Sequence, residues 1–253
     1  MFDSHAHYDD EKFDSDREEL LDRLFSEGIE GFLNAASDER SSEAALEIVH
    51  NRDGGYCSAG IHPHEASNVT PGWEQRIESL LNEDKCVALG EIGLDYHYDF
   101  SPREVQKEVF RTQMAIAAEK DIPVIIHDRE AHADVLGIIR EFPSVRGVMH
   151  SFSGSAETAE ILVSLGWYIS FSGSLTFKNA QKTVLAAAAV PIDRLLTETD
   201  APYLAPVPCR GVRNDSGLMK HTVQRLAEIR GKSFEEIASA AADNAYRLFR
   251  IAK

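Results

Sequence analysis

The chain has 253 residues, of which 43% are hydrophobic, and its 26 basic and 42 acidic side chains give a formal charge of −16. This length is sufficient for one large hydrophobic core or two small ones. The longest apolar run, residues 184–190, has seven residues, whereas a membrane-spanning helix needs about 20. The excess of acid argues against a protein that coats nucleic acid, because non-specific affinity for phosphates comes from lysine and arginine.

The first residues and the cysteines indicate where the protein functions. The chain begins Met1-Phe2-Asp3 and turns acidic at once, unlike a signal or transit peptide, so we expect a cytoplasmic protein whose mature chain starts at residue 1. Cys57, Cys86 and Cys209 show no CxxC spacing, which predicts neither a disulfide framework nor a thiolate zinc site. No segment predicts a stable protein partner.

Short apolar runs alternate with amphipathic stretches along the whole chain. No linker or low-complexity segment interrupts them, which favours one domain over residues 1–253. The apolar runs predict eight strands, at residues 1–7, 31–36, 56–62, 86–93, 123–127, 147–152, 168–173 and 195–200.

Several of the segments between the strands begin with a capping-box spacing, a serine followed by a glutamate three residues later. The pairs are Ser15/Glu18, Ser101/Glu104 and Ser233/Glu236. Pro102 suits the first position of a helix. After Ser233, apolar residues recur at helical spacing up to Phe249, which predicts a final helix packed on the core.

Eight strand–helix units in about 250 residues match a (β/α)8 TIM barrel, an α/β fold whose strands are buried on both faces. A doubly wound open sheet is the alternative architecture. The positions of the polar residues discriminate between the two, because the chemistry of a TIM barrel lies at the C-terminal ends of its strands. This sequence repeatedly has a histidine, glutamate or aspartate at or near that end.

Six of these polar residues are candidate metal ligands. His5 and His7 are two positions apart, so both side chains point to the same face of an extended strand. Glu91 lies in an apolar run bracketed by glycines, where an unpaired charge is costly to bury. The other three end their strands: His127, His150 and Asp200. Four imidazoles and two carboxylates are more ligands than a single four-coordinate zinc ion with one open position can accept. The set therefore predicts two divalent ions bridged by a carboxylate.

Four basic residues in loops after predicted strands are candidate phosphate ligands: Arg129, Lys178, Arg210 and Arg213. Guanidinium groups bind phosphate oxygens in bidentate fashion, which favours the arginines. Tyr203 and Phe152 have the side-chain type that stacks on nucleobases, but we interpret both as part of the barrel core.

The chain also contains short motifs in a characteristic order. They are DSHAH (3–7), GIHPH (60–64), GEIGLDY (90–96), HDR (127–129), HSFSG (150–154), SFSG (170–173), FKNA (177–180) and ETDAP (198–202). Over almost the whole chain this series resembles the TatD family of metal-dependent deoxyribonucleases in the amidohydrolase superfamily. The resemblance implies a (β/α)8 barrel of the metallo-dependent hydrolase type and hydrolysis of phosphodiesters. The implied substrate is DNA, commonly trimmed from single-stranded 3′ ends.

The resemblance also implies how the ligands divide between two divalent ions, which could be Mg²⁺, Mn²⁺ or Zn²⁺. One ion is held by His5, His7, Glu91 and Asp200, and Glu91 bridges to a second ion held by His127 and His150. His62 faces this centre, where it could contact a phosphate or complete a third metal site. We expect His64, which follows a proline, to bond local backbone instead.

The mechanism expected from these residues is attack on the terminal phosphodiester by a water molecule that the two metals activate. Asp200 is the expected general base, and Glu91 is the second catalytic residue. Many relatives in the wider superfamily use a carbamylated lysine where this chain has Glu91. Hydrolysis of an aminoacyl-tRNA ester in the same site is the alternative activity.

Overall fold

The computed structural model describes residues 1–252, in which the eight predicted strands are all present and form one parallel sheet. The strands pair in sequence order from first to last, which confirms the (β/α)8 barrel. They are β1 Phe2–Ala6, β2 Gly31–Asn34, β3 Gly55–Ala59, β4 Cys86–Asp95, β5 Val124–Arg129, β6 Gly147–Met149, β7 Tyr168–Phe171 and β8 Leu195–Thr197.

Helices cover the outside of the barrel. They are α1 Arg17–Ser26, α2 Glu39–Val49, α3 Trp73–Leu80, α4 Arg103–Lys120, α5 His132–Glu141, α6 Ala156–Ser164, α7 Gln181–Ala189, α8 Met219–Arg230 and α9 Phe234–Leu248. In the part of the chain that the structure describes, none of the helices combines the length and the apolar character needed to cross a membrane.

Most of the predicted strands extend beyond the C-terminal ends of the strands in the structure. The prediction for β3 reaches His62, but the strand ends at Ala59, and His62 precedes a short 3-10 helix. Likewise β8 ends at Thr197, before Asp200. The chain leaves the hydrogen-bonded ladder at these points, and the polar residues that follow turn toward the barrel mouth.

The barrel closes where the segment after β8 meets the end of β1. The backbone N–H of Asp200 donates to the carbonyl oxygen of His5 at 2.9 Å, and that of His7 donates to the carbonyl oxygen of Ala201 at 2.7 Å. Ala6 and Ala201 form a parallel bridge here. We call this contact the seam, and it brings Asp200 beside the two histidines of the first strand.

The N-terminal end of the barrel is filled and capped by apolar side chains. The interior cluster includes the strand residues Phe2, Leu33, Ala88, Ile125, Val148, Tyr168 and Leu196, with Ala242, Ala245 and Leu248 from α9 packed against them. Burial of one such large apolar side chain contributes about 1.5–3 kcal/mol. The apolar face predicted for the last helix is therefore confirmed, and the open end of the barrel is the C-terminal one.

Only one of the three predicted capping boxes is present. The Ser233 hydroxyl accepts from the Glu236 N–H at 3.1 Å, and the Glu236 carboxylate accepts from the Ser233 N–H at 2.9 Å. The prediction at Ser15 is wrong because the N-cap of α1 is the next residue, Asp16, whose side chain makes no capping hydrogen bond. The prediction at Ser101 is also wrong, since Pro102 is the N-cap of α4 and the Ser101 hydroxyl donates to the carbonyl oxygen of His64 instead.

Candidate metal centre

Three of the predicted ligands form a first group at the C-terminal end of the barrel. The Nε2 atoms of His5 and His7 are 3.1 Å apart. Asp200 Oδ1 is 3.4 Å from Nε2 of His7 and 3.8 Å from Nε2 of His5. Asp200 reaches this position with a positive φ of 58°, a conformation that aspartate tolerates better than most residues.

A second group lies across the barrel axis. His127 Nδ1 and His150 Nε2 are 3.4 Å apart, and each is 2.8 Å from Oε1 of Glu91. His62 Nε2 approaches the same carboxylate oxygen at 3.6 Å. The structure therefore brings His62 to the same centre as the six predicted ligands.

Glu91 lies between the two groups. Its Oε1 atom faces His127 and His150, whereas its Oε2 atom is 3.3 Å from His5 Nε2 and 3.8 Å from His7 Nε2. One carboxylate thus presents a separate oxygen to each group, which is the arrangement of a bridging ligand.

The spacing of these atoms fits divalent ions. Nitrogen and oxygen ligands lie about 2.0–2.2 Å from a zinc ion, so neighbouring ligand atoms of a tetrahedral shell are about 3.4 Å apart. The separations within each group, from 2.8 to 3.8 Å, bracket that value. Imidazole and carboxylate are also the ligand types that such ions take.

A local irregularity in β4 directs Glu91 into the barrel. The pairing register with β5 shifts between Leu89 and Ile92, and the Glu91 N–H donates to the carbonyl oxygen of Ala36 at 2.7 Å. Gly93 follows with a φ of +139°, and a Cβ atom there would lie only 2.0 Å from the carbonyl oxygen of His127. The glycine is therefore required by the close approach of the two strands.

The buried charges stabilise one another. Burial alone raises the pKa of Glu91, but the imidazoles of His150, His5 and His62 overcome this and hold the pKa well below its usual value. Burial lowers the pKa of His150, yet the carboxylates of Glu91 and Glu198 raise it well above its usual value. Burial and the neighbouring His150 lower the pKa of His5, which favours the neutral imidazole that binds metal.

Two further carboxylates contact the ligands and were not among the predicted site residues. Asp95 Oδ2 is 3.1 Å from His127 Nε2 and 2.9 Å from His64 Nε2. Glu198 Oε1 is 3.3 Å from His150 Nδ1 and accepts from a backbone N–H at 2.6 Å. Both are fully buried acids at strand ends, so the argument applied to Glu91 could have found them. The His64 side chain bonds Asp95 rather than local backbone, which corrects the expectation for that residue.

The four basic candidate phosphate ligands differ in whether a carboxylate already binds their charged group. The Arg129 guanidinium lies 4.7 Å from the ring centre of Tyr98, and that of Arg210 lies 3.9 Å from the ring centre of Phe177, next to the exposed Lys178. Arg213 differs, because both of its terminal nitrogens bind Asp16 carboxylate oxygens at 2.7 Å.

The two aromatic residues interpreted as core also differ. Phe152 is buried, as expected. Tyr203 is 47% exposed, so the core interpretation is wrong for it. It follows the seam rather than a strand, its ring lies 6.4 Å from that of His7, and its hydroxyl donates to Asp10 at 2.7 Å.

Comparison with known proteins identifies the family to which this chain belongs. The family model described as TatD related DNase matches residues 2–250. The chain belongs to the TatD family. It is accordingly a metal-dependent hydrolase that acts on ester bonds, and the family resemblance inferred from the motifs is confirmed.

Two relatives and one solved structure are similar to this chain over nearly its whole length. A Bacillus subtilis protein named uncharacterized metal-dependent hydrolase YabD is 44% identical, with 99% of each chain covered. The Salmonella typhimurium 3′-5′ ssDNA/RNA exonuclease TatD is 32% identical, also with 99% of each chain covered. The crystal structure of the Escherichia coli TatD homolog YJJV superposes with a TM-score of 0.93 at 31% identity, covering 100% of this chain and 98% of that one.

Proposed function

We propose that this protein is a 3′-5′ exonuclease that hydrolyses the terminal phosphodiester of single-stranded DNA with two divalent metal ions. The observation that supports two ions is Glu91, whose two carboxylate oxygens face different groups of ligands. The substrate is supported by the Salmonella typhimurium relative, whose name includes both single-stranded DNA and RNA.

The proposed ligands are those expected from the sequence. His5, His7 and Asp200 hold one ion, His127 and His150 hold the second, and Glu91 binds both. When bound, the ions supply positive charge that makes a water molecule nucleophilic and stabilises the departing oxygen. His62, whose Nε2 atom is 3.6 Å from Glu91 Oε1, is proposed to contact the phosphate.

The remaining steps are assigned to side chains of this chain. Asp200 accepts a proton from the attacking water. The nearby imidazoles lower its pKa against the effect of burial, so its carboxylate is ionised and able to accept. Arg129, Arg210 and Lys178 bind the phosphate as negative charge develops. Arg213 is omitted from this set because Asp16 already binds its guanidinium.

A substrate panel tests the proposal. A single-stranded DNA, an RNA, a duplex with an abasic site and an aminoacyl-tRNA are each incubated with enzyme, with and without a chelator, and after re-addition of Mg²⁺, Mn²⁺ or Zn²⁺. We expect shortening of single-stranded DNA from its 3′ end that the chelator abolishes. Turnover of aminoacyl-tRNA alone would support the ester alternative, and the absence of metal-dependent turnover on every substrate would contradict the proposal.

The role of Asp200 is tested separately with Asp200→Asn. We expect kcat to fall by roughly 10²–10⁴-fold, the contribution typical of a general base, while DNA binding is retained. The exposed Asp53→Asn is the matched control and should leave kcat unchanged. Unchanged hydrolysis in Asp200→Asn, with metal content and DNA binding intact, would contradict the assignment.

A further inference from the structure

Exposed aromatic side chains are concentrated at the mouth of the metal centre. Among residues 1–252, the exposed phenylalanine, tyrosine and tryptophan side chains are Tyr98, Phe100 and Tyr203, which are 47%, 67% and 47% exposed. The rings of Tyr98 and Phe100 lie 5.4 and 4.8 Å from that of His64. Clustered apolar surface at a functional site indicates a ligand that covers it.

Tyr98 and Phe100 form a stacked pair with a cation beside it. Their ring centres are 5.3 Å apart with an angle of 25° between the planes, and the Arg129 guanidinium lies 4.7 Å from the Tyr98 ring centre. Phe100 is the most exposed large apolar side chain among the described residues. A flat ring next to a guanidinium matches a nucleotide, because the ring can stack on the base while the cation binds the phosphate.

The loop between β4 and α4 holds this pair at a fixed position relative to the metal centre. Asp95 Oδ1 accepts from the backbone N–H groups of His97 and Tyr98 at 2.9 and 2.8 Å. Its other oxygen, Oδ2, binds His127 Nε2 at 3.1 Å. One buried carboxylate therefore connects the aromatic loop to a proposed metal ligand.

We propose that Tyr98 and Phe100 form a stacking platform for one nucleobase adjacent to the scissile phosphodiester, with Arg129 binding a phosphate of the same strand. This inference rests on the proposed function and explains how the enzyme would select its substrate. A platform of this kind accepts any base, because every base has a π face. It requires an unpaired end, since neighbouring bases cover both faces of a base within a duplex.

The first experiment locates the stacked base. Single-stranded oligonucleotides with 2-aminopurine at successive positions from the 3′ end are bound to Asp200→Asn, in which hydrolysis is suppressed. We expect fluorescence quenching at one position near the 3′ end. Adding Phe100→Ala should abolish that quenching, whereas Phe100→Trp should retain it. The matched control is Leu185→Ala, which removes a 65% exposed side chain on α7 and should change nothing.

The second experiment measures hydrolysis with otherwise wild-type enzyme. Phe100→Ala should raise KM for the oligonucleotide by roughly 5- to 150-fold, the range typical of one base–aromatic contact. The same variant should leave KM unchanged for an oligonucleotide that is abasic at the quenched position. A KM equal to wild type on the intact oligonucleotide, or quenching that persists in Phe100→Ala, would overturn the platform.

The outcomes separate this inference from the proposed function. Quenching that depends on Phe100, without metal-dependent release of nucleotides, would support the platform and contradict the exonuclease. Metal-dependent release of nucleotides that is unchanged by Phe100→Ala would support the exonuclease and contradict the platform. A change of oligomeric state in Phe100→Ala, with quenching unaffected, would show that a second copy of this chain covers the pair and would also overturn the platform.

Discussion

Glu198 shows how a single buried side chain can determine the properties of a metal ligand. Its Oε1 atom lies 3.3 Å from Nδ1 of His150, while Nε2 of the same imidazole faces Glu91. A carboxylate behind a ligating histidine fixes the tautomer and the orientation of the ring. At 3.3 Å the negative charge of Glu198 favours a proton on Nδ1 of His150, which would leave Nε2 to bind the metal.

We expect Glu198→Gln to weaken metal binding by roughly 10- to 100-fold, as is typical for partners of ligating histidines. Titration of the metal-free protein against a chromophoric chelator measures the affinity directly. Glu160→Gln, which changes an exposed glutamate on α6, should bind as wild type does. Equal affinities for the two variants would exclude an orienting role for Glu198.

The sequence was sufficient to predict which residues converge but not how they are supported. His5, His7 and Glu91 are recognisable because a polar residue within an apolar strand, or at its end, requires a partner. Asp95 escapes because its partners are distant in sequence: His64 lies in the 3-10 helix that follows β3, and His127 lies on β5. Such partners are set by the register of the barrel, which a single sequence does not specify.

Among the elements, the contact between β4 and β5 depends most strongly on one position. Gly93→Ala would place a methyl group 2.0 Å from the His127 carbonyl oxygen, at a φ of +139° that side chains rarely adopt. We expect the free energy of unfolding to fall by about 3 kcal/mol or more. Chemical denaturation monitored by circular dichroism measures this change.

Gly137 provides the matched control for that substitution. It lies within α5, and a Cβ atom there has no heavy atom within 4 Å. Gly137→Ala should therefore stabilise the protein by about 0.5–1 kcal/mol, because alanine loses less backbone entropy in a helix. Similar destabilisation by both substitutions would contradict the steric explanation for Gly93.

The sequence predicts the location of each strand, but it predicts the first residues of the helices less well. Apolar runs located every strand because both faces of a barrel strand are buried. The capping-box spacing succeeded at Ser233 and failed at Ser101, whose hydroxyl instead bonds the loop that follows β3. A short polar motif is equally compatible with local and tertiary hydrogen bonds, and only the fold decides between them.

At the scale of the whole molecule, bound metal should contribute to stability, because ligands that bind only the folded state shift the unfolding equilibrium. A free metal concentration 100 times the Kd contributes about 2.7 kcal/mol, which for a chain of this size raises Tm by roughly 5–10 °C. Differential scanning calorimetry with and without chelator measures the shift. His50→Ala, at an exposed position after α2, should retain the shift, and His5→Ala should lose much of it. Equal shifts in both variants would contradict the proposed ligand set.

The charge of −16 limits how much of a nucleic acid the protein can hold. With Arg129, Arg210 and Lys178 as the phosphate ligands, log Kd should change with log salt with a slope of about 2, at about 0.7 per phosphate contact on a single strand. Fluorescence anisotropy on Asp200→Asn at several salt concentrations measures this slope. A slope several times larger would indicate an extended binding surface and contradict a small footprint at the strand end.

The seam has a consequence for the synthesis of the protein. Thr199 bonds Asp3, a residue 196 positions earlier, so the first strand emerges from the ribosome long before the segment that completes its edge. A nascent chain that ends before β8 already contains His5, His7, Glu91, His127 and His150 but lacks Asp200 and the closure that aligns the first two. Metal loading is therefore expected to follow synthesis of β8 and formation of the seam, which makes bound metal a marker of a closed barrel.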